Sequence, residues 1–174
     1  MLDFPDFRQT FEYDCGAKAL HSVLTYFGID TNEINIIKIA NTNKHNGTPL
    51  DGVKKVAGHF KLKCRIKKMD INEIKKYIDR EIPVILLVQA WPKKKVHDWK
   101  KSWENGHFVV AIGYDNKRIY FEDPYDIHRS YLTYSELLDR WHDIDTAKNK
   151  KYYNLGIILL GKKKYVSKKI VHMK

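Results

Sequence analysis

Cysteine is scarce in this chain, which carries Cys15 and Cys64 and no others among its 174 residues. Two cysteines cannot build the disulfide framework of a small secreted domain, so that class is excluded. No Cys-x-x-Cys pair occurs, which argues against a structural zinc site. We expect no metal site, and the cysteine chemistry argued below needs no organic cofactor either.

Long hydrophobic runs are missing as well. The longest apolar stretch, residues 82–90, is far too short to span a bilayer, and residues 1–28 lack the regions of a signal peptide. We expect no stable membrane insertion and a cytoplasmic location. Because linkers and internal repeats are absent, we predict one domain over residues 1–161 and a basic C-terminal extension over residues 162–174.

Acidic residues are outnumbered, since 32 Lys and Arg stand against 21 Asp and Glu, for a net charge of +11. This charge suits nucleic acid, an anionic membrane or an acidic substrate. Lysines at 93–95 lie among Trp91, Trp99 and Trp103. Basic side chains in such a segment can contact the phosphate backbone of a nucleic acid, and the aromatic rings can stack on its bases. A solvated basic surface explains the same residues, and we favour it over nucleic acid. Nothing in the sequence indicates an oligomeric state.

Hydrophobic periodicity predicts helices in the first half of the chain. Residues 16–27 place apolar side chains at helical spacing, with Asp14 where an N-cap belongs and Gly28 as a C-cap. Further helices are predicted over residues 33–40, 50–60 and 70–80.

Strand patterns dominate the second half. The apolar run at residues 82–88 predicts a buried strand. Residues 107–114 and 119–123 predict a hairpin, and residues 155–160 a final strand. Between them, the capping pattern Thr133-x-x-Glu136 opens one more helix. Helices come first and an antiparallel sheet second, which predicts an α+β fold.

Cys15, His107 and Asp123 occupy places that suit catalysis. Cys15 lies in the first turn of a helix, where the positive end of the helix dipole favours a thiolate. His107 opens the central strand and Asp123 ends its partner, so both lie at one end of the hairpin. A nucleophilic cysteine needs a histidine base and a group that orients it. The sequence therefore predicts a triad, with Gln9 as a donor to the oxyanion beside the Cys15 N–H.

The register of the hairpin decides whether His107 and Asp123 share a face of the sheet. A three-residue turn over residues 115–117 would pair Tyr114 with Arg118 and bring the two together. A loop of even length would separate them unless a β-bulge intervened. We therefore predict an odd-length loop or a bulge.

A lone cysteine or histidine without such partners is usually structural or simply solvated. We interpret Cys64 as a structural residue within a strand. Five other histidines are predicted to lie at the surface: His45, His97, His128, His142 and His172.

Taken together, these residues resemble those of the papain-like cysteine peptidases that process bacteriocin precursors, the double-glycine leader peptidases. The resemblance runs through roughly residues 5–160. It implies a papain-like fold, with N-terminal helices packed on a C-terminal antiparallel sheet. The matching segments are Gln9, Asp-Cys-Gly-Ala at 14–17, Tyr-Phe-Gly at 26–28, Gly-Thr at 47–48, the strand at 82–85, His-Phe-Val-Val at 107–110, Asp-Pro at 123–124 and the helix at 133–141.

The resemblance also implies a role for each site residue. Cys15 would be the nucleophile, His107 the general base and acid, and Asp123 the residue that orients His107. Gln9 would complete the oxyanion hole. The substrate would be a peptide or protein, cut after a Gly-Gly type leader.

Two alternatives stay open at this point. The same constellation serves a papain-like amidase, deamidase or transglutaminase-type acyl transferase, because water or an amine can resolve the acyl-enzyme. A module that binds a peptide or nucleic acid without cutting it is the other alternative. The presence of Cys15, His107, Asp123 and Gln9 together argues against the binding module.

Overall fold

A computed structural model describes residues 1–145, 148–167, 170, 172 and 173. The α-helices are α1 (Cys15–Tyr26), α2 (Glu33–Ala40), α3 (Leu50–His59), α4 (Ile71–Ile78) and α5 (Tyr134–Arg140), with a 3₁₀ turn at Trp99–Lys101. The strands are β1 (Lys63–Lys68), β2 (Val84–Gln89), β3 (Gly106–Tyr114), β4 (Arg118–Glu122), β5 (Ser130–Thr133), β6 (His142–Asp145), β7 (Lys150–Tyr153) and β8 (Leu155–Leu160). None of the described helices is both long and apolar enough to cross a bilayer.

Six strands form one antiparallel sheet in the order β1-β8-β2-β3-β4-β5, and β6 and β7 form a separate hairpin. Helices α1, α2 and α3 share a hydrophobic core with one face of the sheet, and α4 and α5 pack on the other face. The predicted α+β class is confirmed.

Strand β2 lies at the centre of this arrangement and is buried along its whole length. Ile85 and Leu87 point into the core beneath α1, whereas Leu86 and Val88 point into the core beneath α4 and α5. Because both faces are covered, the sequence of β2 is continuously apolar rather than alternating.

Helix α1 begins at Cys15 and ends at Tyr26, with Phe27 at the C-cap position. Gly28, the predicted C-cap, follows one residue later with a φ of 72°. Asp14 stands at the N-cap position, but its carboxylate does not cap the helix. It accepts instead from the backbone N–H groups of Thr10 and Phe11, at 3.3 and 3.0 Å. The capping prediction is therefore wrong, and Asp14 holds the loop that precedes Cys15.

The β3–β4 hairpin contains a register shift between Ala111 and Gly113. Tyr114 pairs with Ile119, so the predicted Tyr114–Arg118 pairing is wrong and the turn is longer than expected. The bulge takes up the additional residue, and past it Val110 pairs with Glu122. The predicted bulge is thus confirmed, and it brings the ends of the two strands into alignment.

His142 is buried, with 4% of its surface exposed, so its predicted surface position is wrong. The β6–β7 hairpin, which the sequence pattern did not reveal, carries His142 under the 91–106 segment. Its Nε2 lies 2.7 Å from the Ser102 carbonyl oxygen, and its ring packs on Trp103 at 4.5 Å between centroids.

The division into residues 1–161 and 162–174 stays a prediction, and part of the second range lies outside the described residues. Within the described part, the backbone N–H groups of Lys164 and Tyr165 lie 3.0 and 3.1 Å from the Tyr26 carbonyl oxygen. The first residues of the basic extension therefore contact the end of α1.

Candidate active site

Cys15 is the first residue of α1 and is partly exposed. Its side chain lines a cleft of about 940 Å³ whose walls also include Gln9 and His107. The N-terminus of a helix carries a partial positive charge from its unpaired N–H groups. The structure thus places the predicted nucleophile where substrate can reach it.

His107 and Asp123 come from neighbouring strands and meet at the end of the β3–β4 hairpin. The His107 Nε2 atom lies 2.7 Å from the Asp123 Oδ1 atom. Both side chains are buried, with 7% and 2% of their surfaces exposed. The separation is that of a charge-assisted hydrogen bond.

Cys15 lies close enough to His107 to raise the pKa of its imidazole. Burial by itself lowers the pKa of His107, but the hydrogen bonds and charges of Asp123 and Cys15 outweigh it and raise the pKa to about 10. The imidazole is therefore held as a cation between two acidic groups.

Asp123 accepts hydrogen bonds on both of its carboxylate oxygens. Oδ1 accepts from the Tyr125 backbone N–H at 3.0 Å, in addition to its contact with His107. Oδ2 accepts from Trp91 Nε1 at 2.9 Å and from Ser130 Oγ at 3.1 Å. Burial alone would raise the pKa of Asp123, but its bond with His107 and these donors keep that pKa below its usual value. Sequence reasoning missed Trp91, Tyr125 and Ser130 as partners of Asp123.

Gln9 lies in the loop that crosses in front of α1. Its backbone N–H donates to the Pro124 carbonyl at 2.9 Å, which ties the loop to the chain just beyond Asp123. Its side-chain Nε2 donates to the Phe11 carbonyl at 2.8 Å, and the side chain lines the same cleft as Cys15. The side-chain amide nitrogen of Gln9 carries two hydrogens. One is used in this bond, which fixes the orientation of the amide, and the second stays available as a donor.

A buried ionic cluster anchors the N-terminal segment to the strand that ends at Asp123. The fully buried Glu122 pairs with Arg129 and accepts from the Phe7 backbone N–H at 2.9 Å. Arg8 Nη1 donates to the Asp123 carbonyl oxygen at 2.8 Å. The segment that carries Gln9 is thus fastened to the strand that carries the carboxylate.

A second buried cluster lies behind Cys15, on the other side of the same loop. Glu33 Oε2 accepts from Thr10 Oγ1 at 2.5 Å and pairs with Lys18 Nζ at 2.8 Å. Burial, together with the nearby charge of Glu33, raises the pKa of Asp14 to about 6. The two carboxyl groups and one ammonium connect the loop to α1 and α2.

Asp143 is a further carboxyl group near the site, on β6. Gln89 donates to its Oδ1 at 3.1 Å, and its carboxylate lies against the backbone of Gly106, where a side chain would collide with it. Burial raises the pKa of Asp143 to about 6, with a smaller opposing effect from the charge of His107. The sequence pattern gave no signal for this residue, because β6 was not predicted.

Residues 91–106 form one wall of the cleft, opposite the loop of Gln9. Trp91 and Tyr125 lie next to each other in this wall, with ring centroids 5.0 Å apart and planes 25° from parallel. Both rings are partly exposed. Among the residues that the structure describes, no group of three or more His, Cys, Asp or Glu side chains could hold a metal ion.

This geometry can be compared with known proteins. The family model of the peptidase C39 family matches residues 3–151. The chain belongs to the peptidase C39 family. It is therefore a cysteine peptidase, as the resemblance in its sequence implied.

Solved structures of this peptidase's relatives share its fold. The peptidase domain of Streptococcus ComA, a bifunctional ABC transporter, is 22% identical at a TM-score of 0.67, over 90% of this chain and 97% of that one. A double-glycine motif protease from an AMS/PCAT transporter, solved with a leader peptide, is 19% identical at a TM-score of 0.64, over 90% and 91%.

A putative C39-like peptidase from Bacillus anthracis is 15% identical at a TM-score of 0.65, over 93% of this chain and 96% of that one. No curated protein sequence matches this peptidase. At these identities the likeness concerns the fold, and the papain-like arrangement expected from the sequence is confirmed.

Proposed function

We propose that this peptidase hydrolyses peptide bonds with a Cys15–His107–Asp123 triad and an oxyanion hole to which Gln9 contributes. The observation that carries the proposal is the position of His107, which lies 2.7 Å from Asp123 and lines the same cleft as Cys15, the residue that helps to raise its pKa. A nucleophile, a base and a group that orients the base are the three parts that covalent catalysis requires.

In the proposed reaction, the Cys15 thiolate attacks the carbonyl carbon of the scissile bond and a new C–S bond forms. The carbonyl electrons move to oxygen and return as the C–N bond breaks, while His107 gives its proton to the leaving amine. Water then attacks the thioester and loses a proton to His107. The C–S bond breaks, so that the carboxylic acid product leaves and the Cys15 thiolate is restored beside the protonated His107.

The oxyanion of each tetrahedral intermediate would lie between the Cys15 backbone N–H and the side-chain amide of Gln9. Cys15 begins α1, so its N–H belongs to the unpaired first turn of the helix. The hydrogen bond from Gln9 to Phe11 holds the amide before substrate arrives. Donors that are already in position contribute most to this kind of stabilisation.

For the substrate, we propose a peptide with a Gly-Gly type leader terminus. Family membership supports this, together with the fold shared with a double-glycine motif protease solved with its leader peptide. Synthetic leader peptides that end in Gly-Gly should be cut after the second glycine. Matched peptides with that glycine changed to alanine should be cut at least about tenfold more slowly, a penalty of about 1.4 kcal/mol. Equal cleavage rates for the two peptides would contradict the proposed Gly-Gly preference but would not bear on the proposed triad.

We also propose that the protein acts in the cytoplasm. Both Cys15 and Cys64 are free thiols in the structure, and the proposed chemistry needs Cys15 reduced. A reducing compartment keeps such thiols available. Fractionation of cells that express the full chain would test this, and recovery from an oxidising compartment would contradict it.

Alkylation kinetics test the triad without a known substrate. In a series from pH 4 to 9, iodoacetamide should modify Cys15 faster than an ordinary thiol well below about pH 8.5, and His107→Ala should slow the reaction. Cys64 serves as the internal control, because burial raises the pKa of its thiol and it lies in β1, away from the cleft. If Cys15 reacts no faster than an ordinary thiol, or if His107→Ala changes nothing, the proposed mechanism fails.

Product masses distinguish peptide hydrolysis from the related acyl-transfer reactions. A cut peptide bond supports a peptidase. A lost side-chain amide would indicate a deamidase, and an isopeptide link a transglutaminase-type enzyme.

A further inference from the structure

Trp91 connects the 91–106 segment with the carboxylate of the triad. Its indole Nε1–H donates to the Asp123 Oδ2 atom at 2.9 Å. We propose that Trp91 is a positioning residue, which holds Asp123 in the orientation that serves His107. The inference rests on the proposed function, because it assumes that Asp123 orients His107.

The two oxygens of Asp123 have different partners. Oδ1 faces His107, whereas Oδ2 accepts from Trp91 and Ser130. The χ2 torsion of an aspartate has a broad distribution, so a carboxylate that accepts hydrogen bonds on one oxygen only can rotate. Two donors on Oδ2 oppose that rotation and keep Oδ1 directed at the His107 Nε2 atom. Without the indole donor, Ser130 alone would hold Oδ2.

The backbone of Trp91 is held in an unfavourable conformation. Its φ is 50°, in the left-handed region that bulky side chains rarely adopt. Such a conformation persists only where the surroundings enforce it. Here the indole stacks on Tyr125 and bonds to Asp123, both of which lie beyond the end of β4. The strained backbone therefore places the indole where it reaches the carboxylate.

The indole also borders two spaces beside the carboxylate. Ala90 and Trp91 line both the active cleft and a second cavity of about 360 Å³, which reaches Asp123 and Ser130. Asp123 itself is buried beside the indole, with 2% of its surface exposed. Hydrogen bonds between charged groups are stronger where water is excluded.

Trp91→Phe tests the role of the N–H group, because it keeps a ring that can stack on Tyr125 and removes the donor. We expect kcat for the Gly-Gly peptide to fall about tenfold, the size expected for one hydrogen bond to a charged group, with KM little changed. The pH profile of Cys15 alkylation by iodoacetamide should shift toward that of Asp123→Asn. The kcat of each variant is calculated per mole of reactive Cys15, measured by titration with iodoacetamide. Misfolded protein therefore does not lower the apparent kcat.

Two further variants make the test specific. Trp91→His returns an N–H group on a ring, so it should recover part of the lost kcat. Trp99→Phe is the matched control from the same segment, since Trp99 stacks under Arg140 and contacts neither cavity nor Asp123 in the described structure. It should leave kcat and the alkylation profile unchanged.

A double variant decides whether Trp91 acts through Asp123. Trp91→Phe combined with Asp123→Asn should be no slower than Asp123→Asn alone. Additive losses, or a Trp91→Phe enzyme with unchanged kcat and alkylation profile, would overturn the positioning role. If Asp123→Asn itself behaves as the wild type does, the proposed triad fails instead.

Discussion

The side-chain amide of Gln9 donates to the carbonyl oxygen of Phe11, two residues further along the same loop, at 2.8 Å. This bond sets the orientation of the amide, and the cluster around Asp14 sets the position of the loop. The proposed oxyanion donor thus comes from a segment that is fastened on both sides.

Gln9→Ala should reduce kcat by about 10²–10³ without abolishing turnover, because the Cys15 N–H remains as a donor. Peptide cleavage and thermal unfolding should be measured together. A Gln9→Ala enzyme with full turnover would remove Gln9 from the site.

The His107–Asp123 pair should stabilise the fold most strongly in mildly acidic solution. The folded pKa of His107 is raised, so its contribution is fully present below about pH 6.5 and is lost as pH rises toward about 10. The folded pKa of Asp123 is lowered, so its contribution is lost only as strong acid protonates it. Asp123→Asn should therefore lower the free energy of unfolding by about 2 kcal/mol at pH 6, and by less at pH 10.

Urea denaturation at the two pH values would measure this difference. Asp126→Asn is the control, because Asp126 makes a similar contact with the exposed His128. It should change stability little at either pH. If Asp123→Asn lowers the free energy of unfolding equally at pH 6 and pH 10, the stabilisation by a charged His107–Asp123 pair is contradicted.

Arg129 should be important for stability because it neutralises the buried Glu122. Arg129→Met would leave that carboxylate without its main partner, at a cost of about 3 kcal/mol in the free energy of unfolding. Lys148→Met is the control, since it breaks an exposed pair with Asp51. Equal, small effects of the two substitutions in urea denaturation would show that the buried cluster does not fasten the N-terminal segment.

Asp143 should make the protein less stable as pH rises from about 4 to 6. Burial raises the folded pKa of Asp143 to about 6, so the folded state holds a proton that the unfolded state releases earlier. Asp143→Asn has no charge to bury. Its Tm relative to that of the wild type should therefore increase between pH 4 and pH 7, by about 2–4 °C for each kcal/mol. A Tm difference that is constant across this range would contradict the prediction.

Local sequence patterns predicted much of this structure. The capping box of α5 forms as expected, because caps depend on residues a few positions apart. The buried strand β2 was visible as a continuous apolar run. Cys15, His107 and Asp123 could be placed because each stands at the end of an element whose position the pattern predicts.

Pairings between distant segments could not be predicted in this way. The β6–β7 hairpin, with its polar sequence, gave no periodic signal, so His142 and Asp143 were not placed near the site. The N-cap expected at Asp14 failed because the Thr10 and Phe11 N–H groups compete for the same carboxylate.

The sequence by itself determined the order of the elements, the α+β class and the identity of the residues that could form a triad. These properties follow from periodicity and from residue chemistry, which act over short distances along the chain. Only the tertiary structure decided which donors surround Asp123. Trp91 and Ser130 lie on either side of it in sequence, and their approach depends on a bulge, a strained backbone and the packing of a sheet. Such contacts join segments that have no local signal in common, so they appear only when the chain is folded.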